Sequence, residues 1–358
     1  MNAPFLPDPQ NFHAWKPVPA LERVLILGHS NAGLGRGAGL LPRLMDHLRD
    51  NVAPGVKTHG IFLDSHAEVR AASEAFCVSP GAGCIIVAGG GGTFRAALEG
   101  YFAAGPKAQH QIQLATLRMG SGNLLGKNLG ISRNPMQGIQ QITTSLRQNQ
   151  SLQGYAIRAV AGQADGTTKT HYAAALAGLG EIAALPLEVD RCRDTAMHRA
   201  CCDVFPLERV NDVEYAYSMV KRATMAAISP RRCPQIEVEH PGGHRSEFRL
   251  LGGVCMSLPV KNLPLQGMPE LQEARVGLHL IPQRNAFRSL QLAADPARAA
   301  QRAFRCELNE GQMATFRLRD REEGIFFLDE DVLPFHRELS LGCTSAIRFV
   351  TAPPSNAR

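Results

Sequence analysis

Short continuous apolar runs alternate with amphipathic stretches through roughly the first 150 positions. Val24–Leu27, Thr58–Asp64, Cys84–Ala88 and Ile112–Leu117 predict strands, and Leu40–Arg49, Ala67–Phe76, Phe94–Ala103 and Pro135–Gln148 predict helices between and after them. A strand that stays apolar on both faces is one covered by helices on both sides, the mark of a parallel sheet. Pro42 suits a first helical turn, where its missing N–H costs nothing. This βα alternation with short links predicts a doubly wound parallel α/β domain over residues 21–150.

Glycine follows three of the strands. Gly28–Gly37, Gly89–Gly92 and Gly120–Gly122 all stand where open α/β sheets place ligands, beyond the carboxyl ends of strands. The stretch Cys84–Gly100 carries the sharpest signal: apolar strand, four adjacent glycines, then Thr93 at an expected N-cap before a helix. Four residues without Cβ let successive amides face outward, and the helix behind them adds the positive end of its dipole. A phosphate chain fits such a donor array. A flexible surface loop is the alternative, but such loops are seldom wedged between a buried strand and a helix.

After Gln150 the rhythm changes. Gly154–Val160, Thr170–Ala177, Val276–Ile281, Ala314–Arg319, Gly324–Leu328 and Ala346–Thr351 predict strands, and Gln235–Glu239 with Ser246–Leu251 predicts a hairpin across Pro241–His244. Glu214–Ala227 and Arg298–Cys306 predict helices. A β-rich, mostly antiparallel second domain over 151–344 follows, with 1–20 as an extended, Pro-rich arm.

Composition narrows the chemistry. A chain of 358 residues exceeds a single ordinary core, and 44% hydrophobic with 20% charged residues suits a globular protein. The net charge of +6 comes from scattered bases, with aromatics at only 6%, so no nucleic-acid footprint is expected. The charge supports a mild pull toward anionic substrates or an acidic membrane surface. Nine cysteines without CxxC spacing point to a reducing compartment. No apolar run reaches the ~20 residues of a membrane span, and the first twenty positions lack a basic n-region. A cytoplasmic location is expected, with any contact at the inner membrane surface peripheral.

Several chemistries fail on pattern. Walker A needs Gly-Lys-Ser/Thr, which follows none of the glycine turns; Gly33–Ala38 starts too far beyond its strand for a dinucleotide fingerprint; His-Arg-Asp and Asp-Phe-Gly are absent. The His-x-x-x-His spacing of His240 and His244 flanks the expected hairpin turn and supports no helical zinc site, and no Gly-x-Ser-x-Gly elbow occurs.

The order of the pieces resembles the diacylglycerol kinase catalytic domain, shared by bacterial lipid kinases and sphingosine and ceramide kinases and distantly similar to NAD kinases. That family carries Asn-Pro-x-Ser-Gly, Gly-Gly-Asp-Gly-Thr and Gly-Thr-Gly-Asn-Asp after successive strands. Here His29-Ser30-Asn31-Ala32-Gly33, Gly89-Gly90-Gly91-Gly92-Thr93 and Gly120-Ser121-Gly122-Asn123-Leu124 stand in that order. Ala177–Gly180 looks like the opening of the family's second domain, and Phe327–Asp331 like its strand with Asp-Gly-Glu. The resemblance covers about residues 21–352. It implies an NAD kinase/diacylglycerol kinase-like fold in two domains with ATP in the cleft between them, and a last strand, 345–352, that returns to the first domain. It also implies transfer of the γ-phosphoryl of ATP to a hydroxyl of diacylglycerol or a similar amphiphile, with Mg²⁺. Gly89 to Thr93 would cradle the phosphates. His29, Asn31 and Gly33 would line the nucleotide's other side, and Gly120, Ser121, Gly122 and Asn123 would add polar contacts.

The family's catalytic Glu maps to Asp331, and Asp329 keeps its first acid; both could instead be surface acids in a turn before Pro334. Other acids are lost. Gly91 stands for an Asp, Arg95-Ala96 for Asn-Glu, Leu124 for an Asp, and Arg275-Val276 for the Asp-Asp that holds a structural Mg²⁺ in bacterial relatives. Arg95 could offer a guanidinium to the β- or γ-phosphate in compensation, and its alternative is an exposed helix position. Glu273, as a metal ligand, and Glu181 could compensate too, or be solvated acids. A degenerate kinase fold that binds nucleotide or lipid in a regulatory role therefore stands as a second reading, and NAD kinase as a third. A homodimer stays open.

Overall fold

The structure, a computed structural model, describes residues 20–30, 37–120, 124–193, 195, 207–260, 268–283, 285 and 303–353. The chain divides into two compact units: one runs through Gly154 and resumes at Ala346, and the other is Tyr155–Ser345.

The first unit is built on β1 (Arg23–His29), β2 (Lys57–Leu63), β3 (Gly83–Gly89) and β4 (Ile112–Arg118), all parallel, in the order β2-β1-β3-β4. Every residue of β3 is buried, as a central strand covered on both faces requires. Beyond β4 lies β17 (Ile347–Val350), parallel to β4 and antiparallel to β5 (Ser151–Gly154), which closes that edge. Among the described residues six helices connect or flank these strands: α1 (Gly37–Asn51), α2 (His66–Val78), α3 (Gly91–Ala103), α4 (Pro106–Gln111), α5 (Leu124–Asn128) and α6 (Pro135–Arg147). Local sequence sets their starts. Ser65 caps α2 in a capping box with Glu68, and Asn134 caps α6 by accepting from the Met136 and Gln137 amides at 2.9 and 3.3 Å. α1 begins three residues before the expected Leu40, so Pro42 sits in its second turn.

The second unit holds, among the described residues, an antiparallel sheet of eleven strands. These are β6 (Ile157–Gly162), β7 (Thr168–Ala173), β8 (Leu176–Gly180), β9 (Gln235–Glu239), β10 (Arg245–Met256), β11 (Arg275–Pro282), β12 (Phe304–Asn309), β13 (Met313–Leu318), β14 (Glu323–Leu328), β15 (Asp331–His336) and β16 (Glu338–Cys343). β10 ties its parts together: its first half pairs β9, and its second half, past an irregularity between Leu250 and Gly252, pairs β8 and β11. The helices α7 (Leu185–Arg193) and α8 (Leu207–Ile228) belong to this unit.

Three expectations are corrected. The runs Gly154–Val160 and Thr170–Ala177 each break into two strands, because Tyr155–Ala156 and Ala174–Ala175 leave the ladder although their side chains stay apolar and buried. Phe304–Cys306, expected to be helical, begins β12, whose partners are the distant residues Leu278–Leu280 of β11; the preceding 298–302 lie outside the described residues. The helix over Glu214–Ala227 starts earlier, at Leu207. Among the described residues no helix is long and apolar enough to cross a membrane.

Candidate functional site

The glycine run folds as strand, one connecting residue and helix. β3 ends at Gly89, Gly90 is the N-cap in extended conformation (φ −94°, ψ −167°) without a side-chain cap, and α3 starts at Gly91. The first amide bonded within the helix is that of Phe94, to the Gly90 carbonyl at 3.0 Å. The amides of Gly91, Gly92 and Thr93 thus precede the ladder and have no intrahelical acceptor. The expected cap, Thr93, lies inside the helix, 5% exposed, over Gly89: a Cβ on Gly89 would meet the Thr93 side chain at 2.5 Å. Glycine is therefore required at the strand end for close approach, while Gly90 and Gly91 stay only half-buried. The result is an uncapped helix N-terminus with its dipole unneutralised by any acid in the first turn.

The neighbouring strands finish level with it. Gly28 pairs with Ala88 and Gly89 with Arg118, so His29, Gly89 and Arg118 end β1, β3 and β4 along one edge. His29 is half-buried, with its ring edge-on to that of His66 at 5.3 Å. Gly120 follows β4 directly. Asn31, Gly33, Ser121, Gly122 and Asn123 lie outside the described residues. Arg118 was not singled out by the sequence; its only signal is a cation at the last position of an apolar strand.

Arg95 takes a place the sequence did not foresee. It is neither exposed nor turned freely to solvent: its side chain is 9% exposed and its Nη1 donates to Glu99 Oε1 at 2.5 Å, one helical turn on. Pairing satisfies two charges that burial would otherwise penalise.

In the second unit, Asp329 and Glu330 form the two-residue turn between β14 and β15, with Leu328 opposite Asp331. Asp329 has φ +55°, a left-handed conformation that Asp tolerates better than most residues. Its carboxylate accepts the amides of Ala174 (2.8 Å), Ala175 (2.9 Å) and Leu176 (3.1 Å), the residues at the break between β7 and β8. Burial raises its carboxyl to about 6, against the pull of those three amides. It is thus no surface acid. Asp331 is half-buried at the first position of β15.

Glu273, expected as a metal ligand, is instead committed to Arg275, which reaches its two oxygens at 3.1 Å each, and to the Glu270 amide at 2.9 Å. A carboxylate neutralised by a guanidinium is a poor cation ligand. Among the described residues no group of three or more His, Cys, Asp or Glu could hold a metal ion. Glu181, read as a solvated acid or a substitute, is buried and paired with Arg222 at 3.2 Å. Burial alone would raise the neighbouring Glu188 carboxyl, but Lys221 (2.5 Å), Arg222 (3.1 Å) and Arg191 (3.0 Å) together hold it below the usual range.

Residues 23–153 match the family described as the diacylglycerol kinase catalytic domain, the one the glycine motifs point to. Solved structures with a similar fold include three from Bacillus anthracis str. Sterne. Two are described as candidate diacylglycerol kinases, at 13% and 12% identity with TM-scores of 0.59 and 0.61, each over 93% of this chain and 99% and 98% of theirs. The third is described as a diacylglycerol kinase, at 12% identity and TM-score 0.55 over 93% of this chain and 97% of that one. At these identities the likeness is one of fold: a mixed, largely parallel α/β sheet in one unit and a large antiparallel sheet in the other. None of the curated proteins matches the chain in sequence.

Proposed function

We propose that this chain, whose residues 23–153 match the diacylglycerol kinase catalytic domain, is an ATP-dependent lipid kinase that phosphorylates a hydroxyl of diacylglycerol or a similar amphiphile. The observation that carries the reading is the uncapped start of α3 at Gly90–Thr93, beyond the carboxyl end of a central parallel strand. Its amides hold the phosphate chain, His29 lines the nucleotide from the end of β1, and Asn31, Gly33, Gly120, Ser121, Gly122 and Asn123 complete its surroundings. The acceptor oxygen attacks the γ-phosphorus, the bond from that phosphorus to the β–γ bridging oxygen breaks, and ADP leaves. Asp331 takes the hydroxyl proton. Asp329 acts through Asp331: by holding the turn on the amides of Ala174–Leu176 it fixes where β15 begins. The surface that presents such an acceptor is a membrane, which the enzyme touches from the cytoplasmic side.

One observation favours a second reading, a kinase fold that binds nucleotide or lipid without efficient transfer. Where the family carries acids, this chain has Gly91 and the Arg275–Glu273 pair. Labelled ATP with Mg²⁺, offered diacylglycerol, a sphingoid base and NAD in parallel, separates the readings. Phosphorylated diacylglycerol or sphingoid base supports the lipid kinase, a phosphorylated NAD overturns it in favour of NAD kinase, and nucleotide binding without product on any acceptor favours the second reading.

A further inference from the structure

We propose that Arg118 binds the polyphosphate beside the amides of α3, as the cation that this chain supplies in its own way. The inference rests on the nucleotide-binding reading above. Register and face carry it. Phe349 of β17 pairs with Leu114 of β4, so the two share a face of the sheet, and the Phe349 ring lies against Phe94 of α3 at 6.3 Å. Side chains alternate along a strand, which puts Thr116 and Arg118 on that same face. A second route agrees. Arg118 is the lateral partner of Gly89, and the face of Gly89 is the one on which Thr93 stands. Adjacent strands are about 4.8 Å apart, so the Arg118 stem rises one strand away from the first turn of α3 and on its side.

The fold makes room for that stem. Gly126 of α5 lies under it: a Cβ there would come within 2.6 Å of Arg118 Cγ and 3.3 Å of Thr116 Cγ2. The guanidinium Nη1 donates to the Ile131 carbonyl at 3.3 Å, which fixes one arm of the planar fork. A guanidinium suits phosphate through paired, charge-assisted hydrogen bonds. Arg95, the cation expected in this role, is engaged with Glu99. Gly91 at the head of α3 adds no carboxylate to repel the phosphates or to draw the guanidinium away from them.

The test is titration calorimetry on the full chain with ATP, ADP, AMP and inorganic tripolyphosphate. Arg118→Gln is expected to weaken ATP and tripolyphosphate by about 10- to 100-fold, the worth of one charge-assisted contact, and AMP far less. Arg118→Lys should recover only part, because a point charge replaces a fork. Gly126→Ala, which leaves the arginine in place but displaces its stem, should weaken the same ligands; thermal melts of all three variants separate lost binding from lost folding. Wild-type protein that binds ATP while Arg118→Gln binds it equally well overturns the role of Arg118 alone. Wild-type protein that binds neither ATP nor tripolyphosphate overturns the nucleotide reading and this inference together.

Discussion

Thr93 stands on Gly89: the strand that ends in one residue and the helix that contains the other approach so closely that a Cβ would fall 2.5 Å from the threonine side chain. Gly89→Ala therefore forces α3 away from β3. A loss of about 1–3 kcal/mol in chemical denaturation is expected, as for other overpacked sites, together with weaker ATP binding. Gly39 of α1, with nothing within 4 Å of its Cβ position, is the control. Gly39→Ala should stabilise slightly, by about 0.5–1 kcal/mol, because alanine removes backbone freedom from the unfolded chain. Equal effects at the two positions would contradict the close approach.

Asp329 makes stability depend on pH in a direction unusual for a carboxylate. Its folded pKa, raised to about 6, lies above that of the unfolded chain, so the folded state keeps a proton that the unfolded state has released. The stability it contributes is full at low pH and is lost as pH rises from about 4 toward about 6. Asp329→Asn keeps an oxygen for Ala175 and Leu176 and removes the titration. Denaturation midpoints across about pH 4–7 should show a flatter profile for that variant; the same slope in both proteins would be inconsistent with the assignment. Asp329→Ala leaves three amides without their acceptor, a loss on the order of 3 kcal/mol.

The Arg95–Glu99 pair is expected to behave as a buried ion pair. Glu99→Leu takes the carboxylate from a buried guanidinium and should cost about 3–5 kcal/mol, whereas Arg95→Met with Glu99→Leu should recover most of that loss. A double-mutant cycle reads the coupling directly. Additive effects would mean the two charges do not depend on each other.

Asp331 separates catalysis from folding. It is half-buried at a strand start, so Asp331→Asn should leave the melting temperature nearly unchanged while phosphoryl transfer falls by about 10²–10⁴-fold, the usual worth of a general base. Asp331→Glu restores the longer carboxylate and should match or exceed the wild-type rate. Full activity in the Asp331→Asn enzyme would remove the residue from the mechanism.

Much of the first unit was legible in the sequence because its strands are apolar on both faces and its helices carry local caps. The second unit was less so. Tyr155–Ala156 and Ala174–Ala175 look like strand interiors, and the break at Ala174 is held by a carboxylate 155 positions away along the chain. Phe304–Cys306 gave no clear alternation because β12, which among the described residues pairs only with β11, leaves Phe304 and Arg305 exposed in succession. At the site, the glycines point to an anion cradle, but four in a row leave the helix start undefined by sequence, and α3 begins two residues before Thr93, the expected cap. Arg95 looked available because its partner is only implied by i,i+4 spacing. Arg118 looked ordinary, since the register that sets it beside Gly89 exists only once two strands have paired.

β17 fills an interior slot of the first sheet although, among the described residues, no strand follows it in sequence. A ribosome therefore releases β4 and β5 long before the residues that must lie between them exist, and the nascent chain carries two open sheet margins while all of Tyr155–Ser345 is made. Synthesis halted anywhere before Ile347 yields a half-finished sheet with sticky edges, so the first unit is sealed only after every strand of the second has left the ribosome.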